Sequence, residues 1–168
     1  MIRACIFDLG GTIVDKYSMT PLISLCKSFS KQNIQVNPQL IRKDMGLKKI
    51  DHIHKLCVED SIKRQWYLNY NRLMSDEDKQ AIYDDFNRFQ KQEILENMKI
   101  IPHTKNCLAD LKIRNIQTGV TTGFDKEQTD LIQNFLISNR VIIDNYVSST
   151  CLDRPGRPEP YMIYENMD

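Results

Sequence analysis

Residues 4–12 read Ala4-Cys5-Ile6-Phe7-Asp8-Leu9-Gly10-Gly11-Thr12 and join an apolar run to a glycine-rich turn. The apolar run, from Ile2 to Phe7, is typical of a central strand in a parallel sheet, which is buried on both faces. Asp8 then stands at the carboxyl end of that strand, where the loops of an open α/β sheet form a ligand crevice. The stretch therefore predicts an α/β fold with Asp8 at a binding site.

The composition predicts an ordinary globular protein. The 168 residues allow one substantial core, or one core plus a small appended domain. The net charge is +1 and no basic stripe is present, so we expect a small-molecule partner and no nucleic acid. No apolar run approaches the length of a membrane span, so we expect no membrane partner.

The cysteines are odd in number and widely spaced, without the paired short spacing of zinc sites or redox motifs. They are Cys5, Cys26, Cys57, Cys107 and Cys151. The pattern predicts reduced, mostly buried thiols and a cytoplasmic location.

The middle of the chain is predicted to be a helical insertion. From Pro21 to about Asn97 the apolar residues recur at helical spacing, with one helix over 49–57 and a capped helix start at Ser75. Strands and helices alternate afterwards. They are predicted near 103–113 (helix), 117–121 (strand), 126–138 (helix) and 141–146 (strand). We therefore expect a Rossmann-like core over 1–20 and 98–168 and a helical cap over 21–97.

A carboxylate in the position of Asp8 can attack phosphorus while the backbone N–H groups of Gly11 and Thr12 hold phosphoryl oxygens. On its own, an Asp after an apolar strand is more often a turn or helix-cap residue than a nucleophile. The whole string resembles the first signature of the haloacid dehalogenase superfamily, in which an Asp nucleophile is followed two residues later by a second Asp. Here Gly10 takes that second position.

The change at Gly10 separates two kinds of family member. Phosphatases use the second carboxyl group as the general acid for an oxygen leaving group, so the resemblance disfavours phosphate esters as substrates. Phosphonoacetaldehyde hydrolases have a small residue there, because their leaving group is a carbon atom. The chain resembles this family most closely.

The segment Met45-Gly46-Leu47-Lys48-Lys49-Ile50-Asp51-His52 resembles the Schiff-base segment of those hydrolases. The resemblance implies that Lys49 forms an imine with the aldehyde and that Met45 and His52 face the substrate. An iminium ion can accept the electron pair released when a carbon–phosphorus bond breaks. Taken alone, the same segment suits a solvated helix face.

Two later strings complete the resemblance. Residues 119–125 resemble the second signature, which implies that Thr122 and Gly123 bind phosphoryl oxygens, although Phe124 replaces the usual Tyr. Alone, this stretch is a loop with a helix cap. Residues 154–164 resemble the third signature, which presents an arginine, here Arg157, to the phosphoryl group. Alone, they form a proline-rich surface turn.

The resemblance also implies Mg²⁺, held in part by the Asp8 carboxylate and the backbone carbonyl at Gly10. Family members continue past the third signature into a strand and an acidic loop that complete the metal site, whereas this sequence ends at Asp168. We therefore expect an incomplete site and weak Mg²⁺ binding. A fragment, a truncated pseudoenzyme and a strand supplied by a partner remain open explanations.

The leading hypothesis is hydrolysis of phosphonoacetaldehyde to acetaldehyde and phosphate through a Lys49 imine and a phosphorylated Asp8. An inactive family member that binds a ligand or a partner is the alternative, and a phosphatase of the same superfamily is a third. Family members are typically dimeric through the cap, so a homodimer of that kind is also expected.

Overall fold

The computed structural model describes residues 2–167, which form a parallel three-stranded sheet and eight helices. The sheet order is β1-β2-β3. In chain order the elements are β1 Ala4–Asp8, α1 Met19–Ser30, α2 Pro38–Lys43, α3 Lys49–Cys57, α4 Asp60–Tyr70, α5 Asp76–Asn97, α6 Thr104–Ile113, β2 Gln117–Thr122, α7 Lys126–Ser138, β3 Asn145–Ser148 and α8 Tyr161–Glu165. The predicted α/β class with a parallel sheet is confirmed.

The register of the sheet brings the strand ends together. Asp8 pairs with Thr121 at the end of β1, and Thr122 pairs with Ser148 at the end of β3. All three strands run the same way, so their carboxyl ends meet at one edge of the sheet. Any chemistry carried by Asp8 is therefore centred at this edge.

Two separate groups of buried apolar side chains stabilise the fold. One lies between the sheet and its helices and contains Leu9, Val14, Ile94, Val120, Ile132 and Leu136. The other lies among α1–α5, which we call the helical insert, and contains Leu25, Phe29, Ile53, Ile62, Trp66 and Phe86. Helix α5 spans both groups, since Phe86 belongs to the second and Ile94 to the first. The assignment of the insert as a cap domain stays a prediction.

The longest helix begins where the sequence predicts. The Ser75 hydroxyl accepts a hydrogen bond from the Asp78 N–H, and the Asp78 carboxylate accepts one from the Ser75 N–H at 2.7 Å. This reciprocal capping box satisfies two backbone donors at a helix start. The predicted bounds of α3 also match those observed.

The strand predicted over 141–146 is wrong at its start, because β3 begins only at Asn145. Val141 and Ile143 are buried in the sheet core, but neither lies in a strand. The Val141 N–H donates to the Leu136 carbonyl at 2.9 Å, which ties this stretch to the end of α7. The alternating apolar residues therefore reflect packing under a helix and not strand pairing.

Helices α2 and α4 were not individually predicted. Helix α2 has six residues, which is too short for a clear periodic pattern, and begins at Pro38 behind an Asn37 cap. Helix α4 buries little beyond Ile62 and Trp66. In short or mostly polar helices, few apolar residues recur at helical spacing, so the sequence pattern is weak.

The expectation of mostly buried thiols is also wrong. Cys57 is buried, Cys5 and Cys26 are half-buried, and Cys107 and Cys151 are exposed. All five are free thiols. Separately, none of the helices within residues 2–167 has both the length and the apolar character needed to cross a membrane.

Candidate active site

A cavity of about 220 Å³ opens at the carboxyl edge of the sheet, between the strand ends and the helical insert. Its walls contain most of the predicted site residues, which are Asp8, Gly10, Met45, Lys49, Thr122, Gly123 and Arg157. Ser18, Pro21, Gly46 and Phe124 complete the lining. Residues from both ends of the chain and from the insert therefore meet around one space.

The Asp8 carboxylate is held between two donors. Arg157 Nη1 donates to Asp8 Oδ1 at 2.7 Å, and the Thr12 hydroxyl donates to Oδ2 at 3.3 Å. The Arg157 Nη2 atom donates to the carbonyl and hydroxyl oxygens of Thr121, at 2.8 and 2.6 Å. The guanidinium group thus lies across the ends of β1 and β2, at the mouth of the cavity.

Lys49 is the first residue of α3 and carries a buried amine. The residue is 5% exposed, and its Nζ donates to the Met45 carbonyl at 2.6 Å. Burial lowers the pKa of the Lys49 amine to about 8, and the positive charge of Arg157 acts in the same direction, while the Asp8 carboxylate opposes them. A fraction of the amine is therefore unprotonated near neutral pH, which is the form that attacks carbonyl groups.

The Phe124 ring lies close to Gly10. A Cβ atom at this position would lie 3.2 Å from Phe124 Cε2, which is tighter than most real contacts of a Cβ atom. The Ser18 hydroxyl donates to the Gly10 carbonyl at 3.3 Å. A methyl group at position 10 would therefore press on the Phe124 ring.

The loop after β2 leads directly into α7. The Phe124 N–H donates to the Thr122 hydroxyl oxygen at 3.2 Å, and Asp125 caps the helix by accepting from the Gln128 N–H at 2.8 Å. Thr122 lies on the cavity wall, a few residues before α7 begins at Lys126. The neighbouring Thr121 contacts Arg157 and is not among the cavity-lining residues.

Three predicted residues lie outside the cavity lining. The Gly11 N–H donates to the Val14 carbonyl at 2.7 Å, and Thr12 reaches the site through Asp8. His52 is fully buried inside the helical insert, and neither ring nitrogen makes a hydrogen bond of standard geometry within residues 2–167. Burial lowers the pKa of His52 to about 4, so the ring is neutral.

Sequence reasoning did not identify Ser18 and Pro21 as lining residues. They stand where the chain leaves the sheet for α1, and Asp15 organises that turn by accepting hydrogen bonds from the N–H groups of Met19 and Thr20, at 3.0 and 2.9 Å. Asp15, Tyr17 and Ser18 all have positive φ. A polar stretch before a proline was the available signal, but it does not reveal the fold of the turn.

The predicted Mg²⁺ ligands fall short of a magnesium site within the described part of the chain. Asp8 Oδ1 is engaged by Arg157, and the Gly10 carbonyl accepts from Ser18. Residues 2–167 contain no group of three or more acidic, His or Cys side chains placed to bind a metal ion. Mg²⁺ is usually held by one or two carboxylates together with waters and substrate oxygens, and the one carboxylate present here is engaged by an arginine.

A parallel sheet with a strand-end Asp, a helical insert and an Arg facing the Asp defines a hydrolase domain of the haloacid dehalogenase type. The family model for haloacid dehalogenase-like hydrolases matches residues 5–168, and the chain belongs to this family.

Two proteins that the chain resembles are phosphonoacetaldehyde hydrolases. The chain is 30% identical over 166 residues to a phosphonoacetaldehyde hydrolase of Pseudomonas fluorescens, covering 99% of this chain and 60% of the relative. It is 30% identical over 162 residues to the phosphonoacetaldehyde hydrolase of Lactiplantibacillus plantarum, covering 96% and 61%. The chain thus spans about three fifths of the length of these relatives.

A solved structure has the same fold. The crystal structure of a phosphonoacetaldehyde hydrolase-like protein from Oleispira antarctica superposes with a TM-score of 0.90 at 23% identity, and the match covers 98% of this chain and 59% of the other.

Proposed function

We propose that this chain carries the imine-forming lysine, Lys49, and the nucleophile, Asp8, of a phosphonoacetaldehyde hydrolase. The observation that carries the proposal is the buried amine of Lys49, with a pKa lowered to about 8, on the wall of the cavity that also contains Asp8 and Arg157. The similarity to phosphonoacetaldehyde hydrolases supports the same substrate.

In the proposed reaction, the neutral Lys49 amine adds to the aldehyde carbon, and the adduct takes up one proton from solvent and loses water to form an iminium ion. Asp8 then attacks phosphorus, and the electron pair of the carbon–phosphorus bond moves onto the iminium nitrogen and leaves an enamine. Protonation of the enamine carbon and hydrolysis give acetaldehyde and the free amine. Water attacks the phosphorylated Asp8 and releases phosphate.

The remaining cavity residues are assigned to the phosphonate group. The Arg157 guanidinium can donate two parallel hydrogen bonds to a tetrahedral oxyanion, and it lies beside the attacking carboxylate. Thr122 and Gly123, which line the cavity just before α7, are assigned to the other oxygens. Met45 and Phe124 provide apolar walls for the two-carbon chain of the substrate.

The lack of a side chain at Gly10 favours this substrate over a phosphate ester. An ester needs an acid that protonates the leaving oxygen, and Gly10 has no carboxyl group that could supply the proton. The iminium ion of the phosphonate route makes that acid unnecessary. We therefore do not propose phosphatase activity.

The test is reduction with borohydride in the presence of phosphonoacetaldehyde, followed by peptide mass analysis. Trapping before bond cleavage leaves a phosphonoethyl group on Lys49, whereas trapping after cleavage leaves an ethyl group. We expect both in the parent chain, only the phosphonoethyl adduct in Asp8→Asn, and neither in Lys49→Arg. Lys48→Met is the matched control, since Lys48 is the adjacent amine.

The two outcomes that contradict the proposal are distinct. If Lys49 gains no adduct in the parent chain, the imine is refuted. If the phosphonoethyl adduct forms but the ethyl adduct does not, the chain binds the substrate without cleaving it, as the alternative of an inactive ligand-binding member predicts. The homodimer, the lack of nucleic-acid and membrane partners and the cytoplasmic location stay predictions from the sequence.

A further inference from the structure

The helical insert contacts the sheet through backbone at Gly123. A Cβ atom at Gly123 would lie 2.9 Å from the Leu47 carbonyl oxygen and 3.2 Å from the Gly46 carbonyl oxygen. Distances under 3.0 Å essentially never occur for a real Cβ atom, so one of the two backbones would have to move. Gly123 therefore allows the turn before α3 to approach the loop after β2 as closely as it does.

The need for glycine at this position does not come from its backbone conformation. Within residues 2–167 the glycine with positive φ is Gly11, so Gly123 adopts a conformation open to any residue. The opposing turn is itself hydrogen-bonded, since the Leu47 N–H donates to the Asp44 carbonyl at 3.1 Å. What excludes a side chain at Gly123 is the neighbouring backbone.

A second contact lies beside the first and is less tight. A Cβ atom at Gly156, one residue before Arg157, would lie 3.6 Å from Lys48 Cβ, which is an ordinary contact distance. The turn of residues 46–48 is therefore seated between the loop that carries Thr122 and the loop that carries Arg157. Lys49 follows this turn directly as the first residue of α3.

We propose that Gly123 is a positioning residue, whose missing side chain sets how closely the 46–48 turn seats on the sheet and so holds the Lys49 amine inside the cavity. The inference deepens the proposed function and rests on it only in treating Lys49 as the group that meets the substrate. In Gly123→Ala the added methyl group pushes the turn away, and Lys49 becomes accessible to solvent.

The first test measures the pH-independent rate constant with which trinitrobenzenesulfonate modifies the unprotonated Lys49 amine, relative to that of the exposed Lys63, so that a change in the pKa of Lys49 on exposure does not enter the comparison. A buried amine reacts slowly because the reagent cannot reach it, so we expect this relative rate constant to rise on the order of tenfold in Gly123→Ala. Gly156→Ala is the matched control, because its methyl group has room, and we expect no change. An equal rate in Gly123→Ala and the parent chain overturns the proposal.

The second test measures how closely the 46–48 turn approaches Gly156 and does not rely on the reactivity of Lys49. Lys48→Cys with Gly156→Cys, in a background with Cys107→Ser and Cys151→Ser, places two Cβ atoms at a separation that a disulfide can span. We expect rapid oxidation with Gly123 present and a loss of most of the crosslink in Gly123→Ala. If Gly123→Ala does not fold, as its circular dichroism would show, the parent pair still tests the seating that the proposal requires, since the absence of a crosslink there refutes it.

Neither test uses a substrate. A failure of borohydride trapping therefore leaves both results interpretable, and a failure of these tests leaves the imine experiment standing.

Discussion

Arg157 Nη1 lies 2.7 Å from Asp8 Oδ1, although 149 positions separate the two residues in the chain. The same guanidinium group also reaches Thr121 on the neighbouring strand. A planar fork can bridge two strand ends in this way, whereas an ammonium group concentrates its charge at one point. The pair therefore places a fixed positive charge where the carboxylate of Asp8 meets the cavity.

Replacing Arg157 by Lys should weaken the binding of inorganic phosphate. The variant keeps the charge and loses the paired hydrogen bonds, so we expect the affinity to fall on the order of tenfold to a hundredfold. Isothermal titration calorimetry with phosphate measures the change. Arg154→Lys is the control, because the Arg154 guanidinium lies over the Tyr161 ring, 5.2 Å from its centroid. Equal affinities in Arg157→Lys and the parent chain would contradict the assignment.

Removing the buried amine should stabilise the protein. The folded chain releases the Lys49 proton at a pKa of about 8 and the unfolded chain at 10.5, so the unfolded state binds more protons between these values. The free energy of unfolding therefore carries a penalty below pH 8 that disappears as the pH rises to 10.5. We expect Lys49→Met to be more stable near neutral pH by on the order of 2 to 3 kcal/mol.

Urea unfolding of Lys49→Met and the parent chain at several pH values tests this expectation. The advantage of the variant should shrink above pH 8, whereas Lys48→Met should show no such trend. A variant that is less stable than the parent chain near neutral pH would mean that the Lys49 hydrogen bond to Met45 outweighs the burial of its charge.

His52 should make the fold sensitive to acid. Its pKa is about 4 in the folded state and 6.5 ordinarily, so between these values the unfolded chain binds a proton that the folded chain does not. The free energy of unfolding then falls as the pH drops from 6.5 to 4, by on the order of 2 to 3 kcal/mol. We expect His52→Leu to flatten this dependence in urea unfolding. His54→Leu, at an exposed position, should leave the slope in place.

A methyl group at Gly10 should be destabilising because of Phe124. We expect Gly10→Ala to lower the free energy of unfolding by about 1 to 2 kcal/mol, as overpacking of a filled site does. Phe124→Leu removes the ring edge, so the double variant should lose less than the sum of the two single losses. A double-mutant cycle by urea unfolding measures this coupling. Additive losses would show that Phe124 does not restrict position 10.

Much of the fold follows from local sequence patterns. The capping box at Ser75 and the apolar spacing of α3 each involve residues close together in the chain, and both predictions match observed elements. The strand before Asp8 is also present, but the prediction that it is central and buried on both faces is wrong, because β1 lies at the edge of the three-stranded sheet and is half-exposed. The start of β3 was predicted wrongly because burial under α7 produces the same apolar alternation as a strand. The periodicity of apolar residues indicates that one side of a segment is buried, but it does not identify the element that covers that side.

Only some of the residues that line the candidate site were predicted from the sequence. The sequence motifs predicted that Asp8, Lys49 and Arg157 belong to one site, and the three residues line one cavity. Ser18 and Pro21 were missed because their place on the wall depends on a turn with successive positive φ angles. The contact of Gly123 with the 46–48 turn joins two distant parts of the chain. A single sequence contains no local signal for such a contact.

The pairing of Ala4 with Gln117 bears on how the chain reaches its folded state. β1 can join β2 only after the whole helical insert has been closed into a loop, and contacts between positions so far apart slow folding because the loop must first lose conformational freedom. The insert has its own group of buried apolar residues, and its most extensive helix–helix contact joins α1 to α5, its first and last helices. Early condensation of the insert would shorten the effective loop and bring the two strands within reach of each other. Asp8 would then meet its partners late, after the part of the chain that carries the Lys49 amine had taken shape.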